Sequence, residues 1–289
     1  MIVDIHTHIP SHVDAVPAGE ELWNDKMRPD KKVRLTNSYA DYLRDMAVVD
    51  KAVAFDIAMP PGRAAFMEAR DARRVNDATA ALVRSGEGKV IGFMSVHPDT
   101  PDVLDEMERA HKDLGLRGIK LGPNYQNFDP LGENARRVYA RAQELGLPVL
   151  FHQGTSPIRD APLRYAHPLV MDEVAMAFPD LRIVMAHLAH PWIEDCLVVV
   201  RKHPNVYADV SARFYRPWSF YNGMRYAYEW AVMDKLFFGT DWPVTTPAEA
   251  MAGLRGLNGF AMRHHLPEVP EELIEGIIHR DALALLGLE

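Results

Sequence analysis

Ile2-Val3-Asp4-Ile5-His6-Thr7-His8 is the stretch on which the fold turns. Its apolar and β-branched residues read as a strand. It runs on into Ile9-Pro10-Ser11, whereas an open doubly wound sheet leads one to expect a glycine-rich phosphate turn after its first strand. Working outward, short apolar runs recur at 51–57, 90–96, 117–121, 148–152, 182–187, 206–211 and 236–241. Each is rich in Val, Ile, Leu or Phe, as strands covered on both faces should be. Helical patterns lie between them at 64–84, 102–114, 133–145, 169–178, 192–202 and 218–232, and another at 271–286 closes the chain. Glycine and proline mark the returns, as in Leu145-Gly146-Leu147-Pro148 and Phe178-Pro179-Asp180. Strands alternating with helices in this way predict a (β/α)8 TIM barrel, a single α/β domain over 1–289. The segment 10–38 after the first strand is expected to be a lid, because a loop of that length usually serves function.

Composition agrees with one large folded domain. At 289 residues the chain is near the roughly 250 that such barrels use, and 48% hydrophobic with 25% charged residues is ordinary for a globular protein. The net charge of −8 comes without any long basic run, so nucleic-acid binding has no electrostatic support. The one cysteine, Cys196, has no disulfide partner in the chain and reads as a small core residue. No apolar run approaches the roughly 20 residues that span a bilayer. The first residues carry no secretory pattern, so a cytoplasmic protein that avoids membranes is expected.

A parallel barrel places its active site at the C-terminal ends of its strands. The residues ending the predicted strands are His6 and His8 on the first, Lys120 on the fourth, His152 on the fifth, His187 on the sixth and Asp241 on the eighth. Side chains at i and i+2 share a face of a strand, so His6 and His8 would point into the barrel one above the other. With His152 and Asp241 they offer three nitrogens and one carboxylate, a set suited to a single zinc ion, or to another divalent metal such as manganese. His187 would stand beside metal-bound water as general acid or base, with the metal lowering the pKa of that water toward about 7. A histidine near a strand end is more often a core or surface residue than a ligand. What argues for a site is the coincidence of four independent strand ends.

Asp4-x-His6-x-His8, Phe151-His152-Gln153-Gly154, Met185-Ala186-His187-Leu188-Ala189-His190-Pro191 and Gly239-Thr240-Asp241-Trp242-Pro243 resemble the amidohydrolase superfamily. More narrowly, they are similar to its amidohydrolase-2 branch, that of aminocarboxymuconate-semialdehyde decarboxylase and related metal-dependent hydrolases. By that resemblance His6, His8, His152 and Asp241 match the metal ligands, and His187 matches the catalytic histidine. Asp241 would serve as both ligand and proton acceptor, and Asp4 would support the site from beneath or be a buried structural carboxylate. In binuclear members a lysine ending the fourth strand is carboxylated and bridges two metals, and Lys120 stands about there. The decarboxylase pattern lacks that lysine. One metal, with Lys120 as a substrate-facing or ion-paired ammonium, is the expectation. Barrels of this branch are often dimers, so a homodimer is compatible with the resemblance.

Substrate contacts are open to two readings each. Arg213 in Ser211-Ala212-Arg213 would bind a carboxylate or form a salt bridge at the rim. Arg63 would bind the substrate or open the following helix, and Trp242 would wall the pocket or pack the barrel top. The aromatic stretch 214–230, with Tyr215, Trp218, Phe220, Tyr221, Tyr226 and Tyr228, suits an aromatic substrate, a core or a subunit interface. The expected function is metal-dependent hydrolysis of a small carboxylated or aromatic metabolite, with Lys120 tipping the choice. The alternative is a nonoxidative metal-dependent decarboxylase, and the third reading is a non-catalytic metal- or ligand-binding barrel.

Overall fold

The computed structural model of the chain describes residues 1–59, 71–156 and 158–289. The strands are β1 (Val3–His8), β2 (Trp23–Asn24), β3 (Val33–Arg34), β4 (Lys51–Phe55), β5 (Val90–Met94), β6 (Gly118–Leu121), β7 (Val149–Phe151), β8 (Ile183–Met185), β9 (Val206–Asp209) and β10 (Leu236–Phe237). Eight of them pair in the order β1-β4-β5-β6-β7-β8-β9-β10, each neighbouring pair parallel. The last meets the first through Ile5 N–H to the Phe238 carbonyl (3.1 Å) and His8 N–H to the Trp242 carbonyl (2.9 Å), closing the TIM barrel.

The helices are α1 (Tyr39–Asp45), α2 (Ala72–Ser85), α3 (Val103–Lys112), α4 (Pro123–Gln126), α5 (Glu133–Glu144), α6 (Leu169–Ala177), α7 (Ile193–Lys202), α8 (Pro217–Glu229), α9 (Pro247–Arg255), α10 (Leu257–Arg263), α11 (Glu271–Ile278) and α12 (Ala282–Leu286). Two begin with reciprocal capping boxes, Ser38 with Asp41 and Thr246 with Glu249, which satisfy amide donors that a helix start leaves open. The pattern at 271–286 forms two helices, because the Asp281 side chain accepts from the Ala284 amide and starts a new one. The predicted helix from 64 begins, among the described residues, at Ala72, capped by Asp71.

Two apolar layers form the core. Ala52, Ala54, Ile119, Val149, Phe151, Ile183 and Met185 face outward under the helices, with Cys196 of α7 fully buried in the same layer. Val3, Ile5, Val53, Phe55, Phe93, Leu150, Val184, Tyr207 and Phe237 fill the barrel, where Leu283 and Leu286 of α12 join them. Along β1 this alternation breaks. Asp4 pairs with Ala52 but Thr7 pairs with Ala54, so three steps on β1 oppose two on β4. A bulge of this kind inserts one residue and re-aims the side chains beyond it. Val3 and Ile5 point into the barrel below it. Above it His6 and His8 do, both packing on the Phe55 ring at 5.1 and 5.2 Å.

The segment after β1 is not structureless. Its base is joined by a bridge between His12 and Ser38, and β2 pairs antiparallel with β3. Arg28 pins it to the barrel: the buried guanidinium pairs with Asp30 (2.6 Å) and Glu249 (3.3 Å) and donates to the Val244 carbonyl.

Candidate metal centre and active-site cavity

His6 and His8 each bring Nε2 to the same oxygen, Oδ1 of Asp241, at 3.3 and 3.2 Å. Asp241 reaches them from a loop four residues beyond β10, its backbone held left-handed at φ 60° and its N–H donating to the His6 carbonyl (2.7 Å). The ligand-type atoms of His6, His8 and Asp241 all lie within 4.8 Å of one another. Two imidazole nitrogens and a carboxylate oxygen at that spacing fit a divalent cation. Burial alone would raise the Asp241 carboxyl, but His187, His6 and His8 outweigh it and hold the group well below the usual carboxylate range.

Asp209, the last residue of β9, is fully buried beneath this cluster. Its Oδ2 lies 2.8 Å from His6 Nδ1, and its Oδ1 accepts the N–H of His187 (2.9 Å) and of Ser211 (3.0 Å). Despite its burial, the neighbouring His6, His187 and Ser211 keep its carboxyl ionised far below the normal range. A carboxylate on the far nitrogen of a ligating imidazole fixes the ring's tautomer and orientation. Here it turns His6 Nε2 toward the cluster. Asp209 escaped the sequence reading, although an acid inside Val206-Tyr207-Ala208-Asp209-Val210 was a signal, since a buried charge must find partners.

Asp4, on the outer side of the bulge, accepts from the amides of His6 and Thr240 (both 3.1 Å) and from the Thr240 hydroxyl (2.6 Å). It is a structural carboxylate joining β1 to the loop that carries Asp241. Burial, partly offset by these hydrogen bonds, pushes its carboxyl up to about 7.

His187 leaves the barrel after β8 with φ 59° and stands 4.7 Å from the His6 ring, centroid to centroid. Burial brings its imidazole down to about 4. His152 lines the same cavity, 5.2 Å from the His187 ring and 4.4 Å from Tyr125. Its Nε2 faces the Thr155 carbonyl at 3.3 Å, and His152 is not part of the His6–His8–Asp241 group. Lys120 is buried over the Phe55 ring (4.5 Å) with Nζ 3.4 Å from His6 Nε2, and burial lowers its ammonium to about 8.

His8, Lys120, His152, His187 and Asp241 open into a cavity of about 650 Å³ that also meets Met27 and Leu35 of the segment after β1, Ile57, Met59, Val75 and Val244. Arg74, at the start of α2, lies on its edge and was not foreseen.

Two expected substrate residues need correction. Trp242 does not wall the cavity: it is buried under α1, edge-on to Tyr42 at 5.1 Å, with Nε1 donating to Asp45. Arg213 is not among the cavity-lining residues and makes no rim salt bridge among the described residues. It is buried, donates to Ser219 Oγ (2.7 Å), leaves Nε without a partner, and is lowered by burial to about 10. Arg63 lies outside the described residues. The aromatic stretch belongs mainly to α8, where Phe220 and Tyr221 enter the core while Trp218 is exposed; none of it lines the cavity.

A family profile described as amidohydrolase matches residues 3–288. Among solved structures, 5-carboxyvanillate decarboxylase from Sphingomonas paucimobilis is similar at 16% identity and TM-score 0.66, over 100% of this chain and 99% of that one. A probable 2-pyrone-4,6-dicarboxylic acid hydrolase from Acinetobacter baumannii, with citric acid bound, matches at 15% identity and TM-score 0.61, over 99% of each chain. A dihydroxybenzoic acid decarboxylase from a Polaromonas species, with bound manganese and 2-nitroresorcinol, matches at 17% identity and TM-score 0.64, over 99% of this chain and 97% of that one. At such identities the likeness concerns the fold.

Proposed function

The chain belongs to the amidohydrolase family, and from that membership and the geometry at the barrel mouth we propose that it is a metal-dependent hydrolase of a small carboxylated or aromatic metabolite. The observation that carries the reading is the meeting of His6, His8 and Asp241 at one point, with His187 beside them. His6, His8 and Asp241 would hold one divalent ion, zinc or manganese, and a turn of the His152 ring away from the Thr155 carbonyl would add a fourth ligand. Such an ion supplies Lewis acidity and makes water acidic near neutral pH.

The chain's own groups do the rest. His187, neutral at pH 7, takes a proton from the attacking water and returns it to the leaving group. Lys120 and Arg74, both of which line the cavity, would be the cations that bind a carboxylate. A cavity of about 650 Å³ is of small-molecule size. Its apolar wall suits a single ring or a short aliphatic body.

Decarboxylation is the second reading, favoured by the two similar decarboxylase structures that act on aromatic acids. There His187 or Asp241 would first take up a proton from water and then deliver it to a ring carbon as carbon dioxide departs. The two are separated by incubating the metal-loaded enzyme with lactones, β-carbonyl esters and hydroxybenzoic acids in ¹⁸O-labelled water. Label in a newly formed acyl carboxylate is the expected result. Carbon dioxide released in step with substrate loss, without such label, overturns the hydrolase in favour of the lyase.

A further inference from the structure

Ser211 stands between Asp209 and His187. Its Oγ lies 2.5 Å from Asp209 Oδ1 and 2.8 Å from His187 Nδ1. A hydroxyl carries one hydrogen, so it can donate to only one of these neighbours. The choice is fixed by Asp209 Oδ1, which already receives two backbone N–H groups, those of His187 and Ser211. A proton on that oxygen would run into those donors, so toward Ser211 it is an acceptor and the hydroxyl donates to it. The Ser211 oxygen therefore accepts from His187, and Nδ1 must carry the hydrogen. A second contact requires the same: Nδ1 lies 3.4 Å from the Ser211 carbonyl, which can only accept.

We propose that Ser211 is a positioning residue that fixes the proton of the neutral His187 ring on Nδ1, leaving Nε2 as a bare lone pair for the cavity. The inference rests on the reading of His187 as the proton-transfer group, and it adds to that reading the atom that takes the proton, Nε2. The first proton of the reaction moves onto His187 and not from it. Taking that proton converts the ring to an imidazolium with hydrogen on both nitrogens; returning it to the product restores the starting tautomer, and the Nδ1 hydrogen never leaves. The Ser211 oxygen and the Asp209 carboxylate behind it form a polarised chain that steadies the transient positive ring. Asp209 thus orders both histidines at Nδ1, His6 directly (2.8 Å) and His187 through one hydroxyl.

The test reads the tautomer itself, without substrate. The full chain is labelled with ¹⁵N in its histidine rings, and two-bond ¹H–¹⁵N correlations are recorded for metal-free and zinc-loaded protein near pH 7.5. His187 is assigned by its disappearance in His187→Gln. A protonated-type Nδ1 and a lone-pair-type Nε2 are expected in the wild type, kept in Ser211→Thr, and replaced by a mixture of tautomers in Ser211→Ala. A wild-type His187 with its hydrogen on Nε2 overturns the proposal, and if Ser211→Ala fails to fold that spectrum decides alone. An unchanged Nδ1 hydrogen in folded Ser211→Ala also overturns it, assigning the role to the carbonyl. Metal content measured on the same samples keeps the outcomes apart: absence of bound ion counts against the proposed function and leaves the tautomer result standing.

Discussion

Asp4→Ala tests the seam where the first and last strands meet. The wild-type carboxylate is fully buried and receives three hydrogen bonds, from the His6 amide, the Thr240 amide and the Thr240 hydroxyl. Alanine removes both acceptor oxygens and with them all three hydrogen bonds. The hydroxyl has a fallback in the His6 carbonyl at 3.4 Å, but the two amides have none. A buried donor left without a partner costs about 1–3 kcal/mol, so the expected loss is about 2–6 kcal/mol. Asp4→Asn keeps Oδ1 for both amides and can donate from Nδ2 to the Thr240 hydroxyl, so it should lose only about 1 kcal/mol. The comparison also depends on pH. The folded carboxyl is raised from 3.8 to about 7, so the folded state binds this proton more tightly than the unfolded chain and stability falls as pH rises between those values. Asparagine is free of that term, and Asp4→Asn should gain on the wild type from about pH 4 to pH 7. Urea denaturation of the metal-free protein at several pH values measures all of this. An alanine variant within 1 kcal/mol of the wild type, or equal to the asparagine variant, would refute the reasoning.

Further outcomes follow from the same geometry. Purified without chelator, the protein should hold about one divalent ion per chain by elemental analysis. His187→Ala should keep that ion while losing on the order of 10²-fold in turnover, whereas His152→Ala should lose affinity for it; equal metal content in the two would refute the division of roles. Gly154→Ala should unfold the loop after His152, since its φ is +98° and a Cβ would come 2.3 Å from the His190 carbonyl. A loss above about 3 kcal/mol is expected, and a thermal midpoint unchanged within 2 °C would contradict it. Arg213→Met removes a buried cation that has no ion pair among the described residues, and should raise the thermal midpoint by about 2 °C or more despite the lost hydrogen bond to Ser219. A fall would mean that the guanidinium's hydrogen bond to Ser219 outweighs the cost of burying its charge.

The barrel was legible because eight apolar runs recur with helical patterns between them, and each run contains an observed strand. The ends were harder. β8 stops at Met185 and β10 at Phe237, short of His187 and Asp241, because both residues adopt positive φ and leave the ladder to enter the cavity. Strict alternation from Val3 and Ile5 would have sent His6 and His8 to the outer face. The bulge that corrects this depends on pairing with β4, which one strand's sequence does not encode. Helices α1 and α9 were overlooked although Ser38-Tyr39-Ala40-Asp41 and Thr246-Pro247-Ala248-Glu249 carry start signals in plain view. Asp209 and Ser211 were missed for another reason. A search for ligands at strand ends finds groups that touch an ion or substrate and passes over those that set where the ligands' hydrogens sit.

The cluster joins residues 6 and 8 to residue 241 across the closing seam, and this has a consequence for how the protein is made. Synthesis proceeds from the N-terminus at about 5–20 residues per second, so His6 and His8 wait tens of seconds for Asp241 to be added. No earlier stretch of chain can assemble the three together. With the proposed ligands, metal loading would therefore be a late event, and an ion held there would act as a clasp between the first and last strands of the barrel. Anything that parts β1 from β10, whether heat, denaturant or a weakened Asp4, would release ion and seam as a single cooperative step.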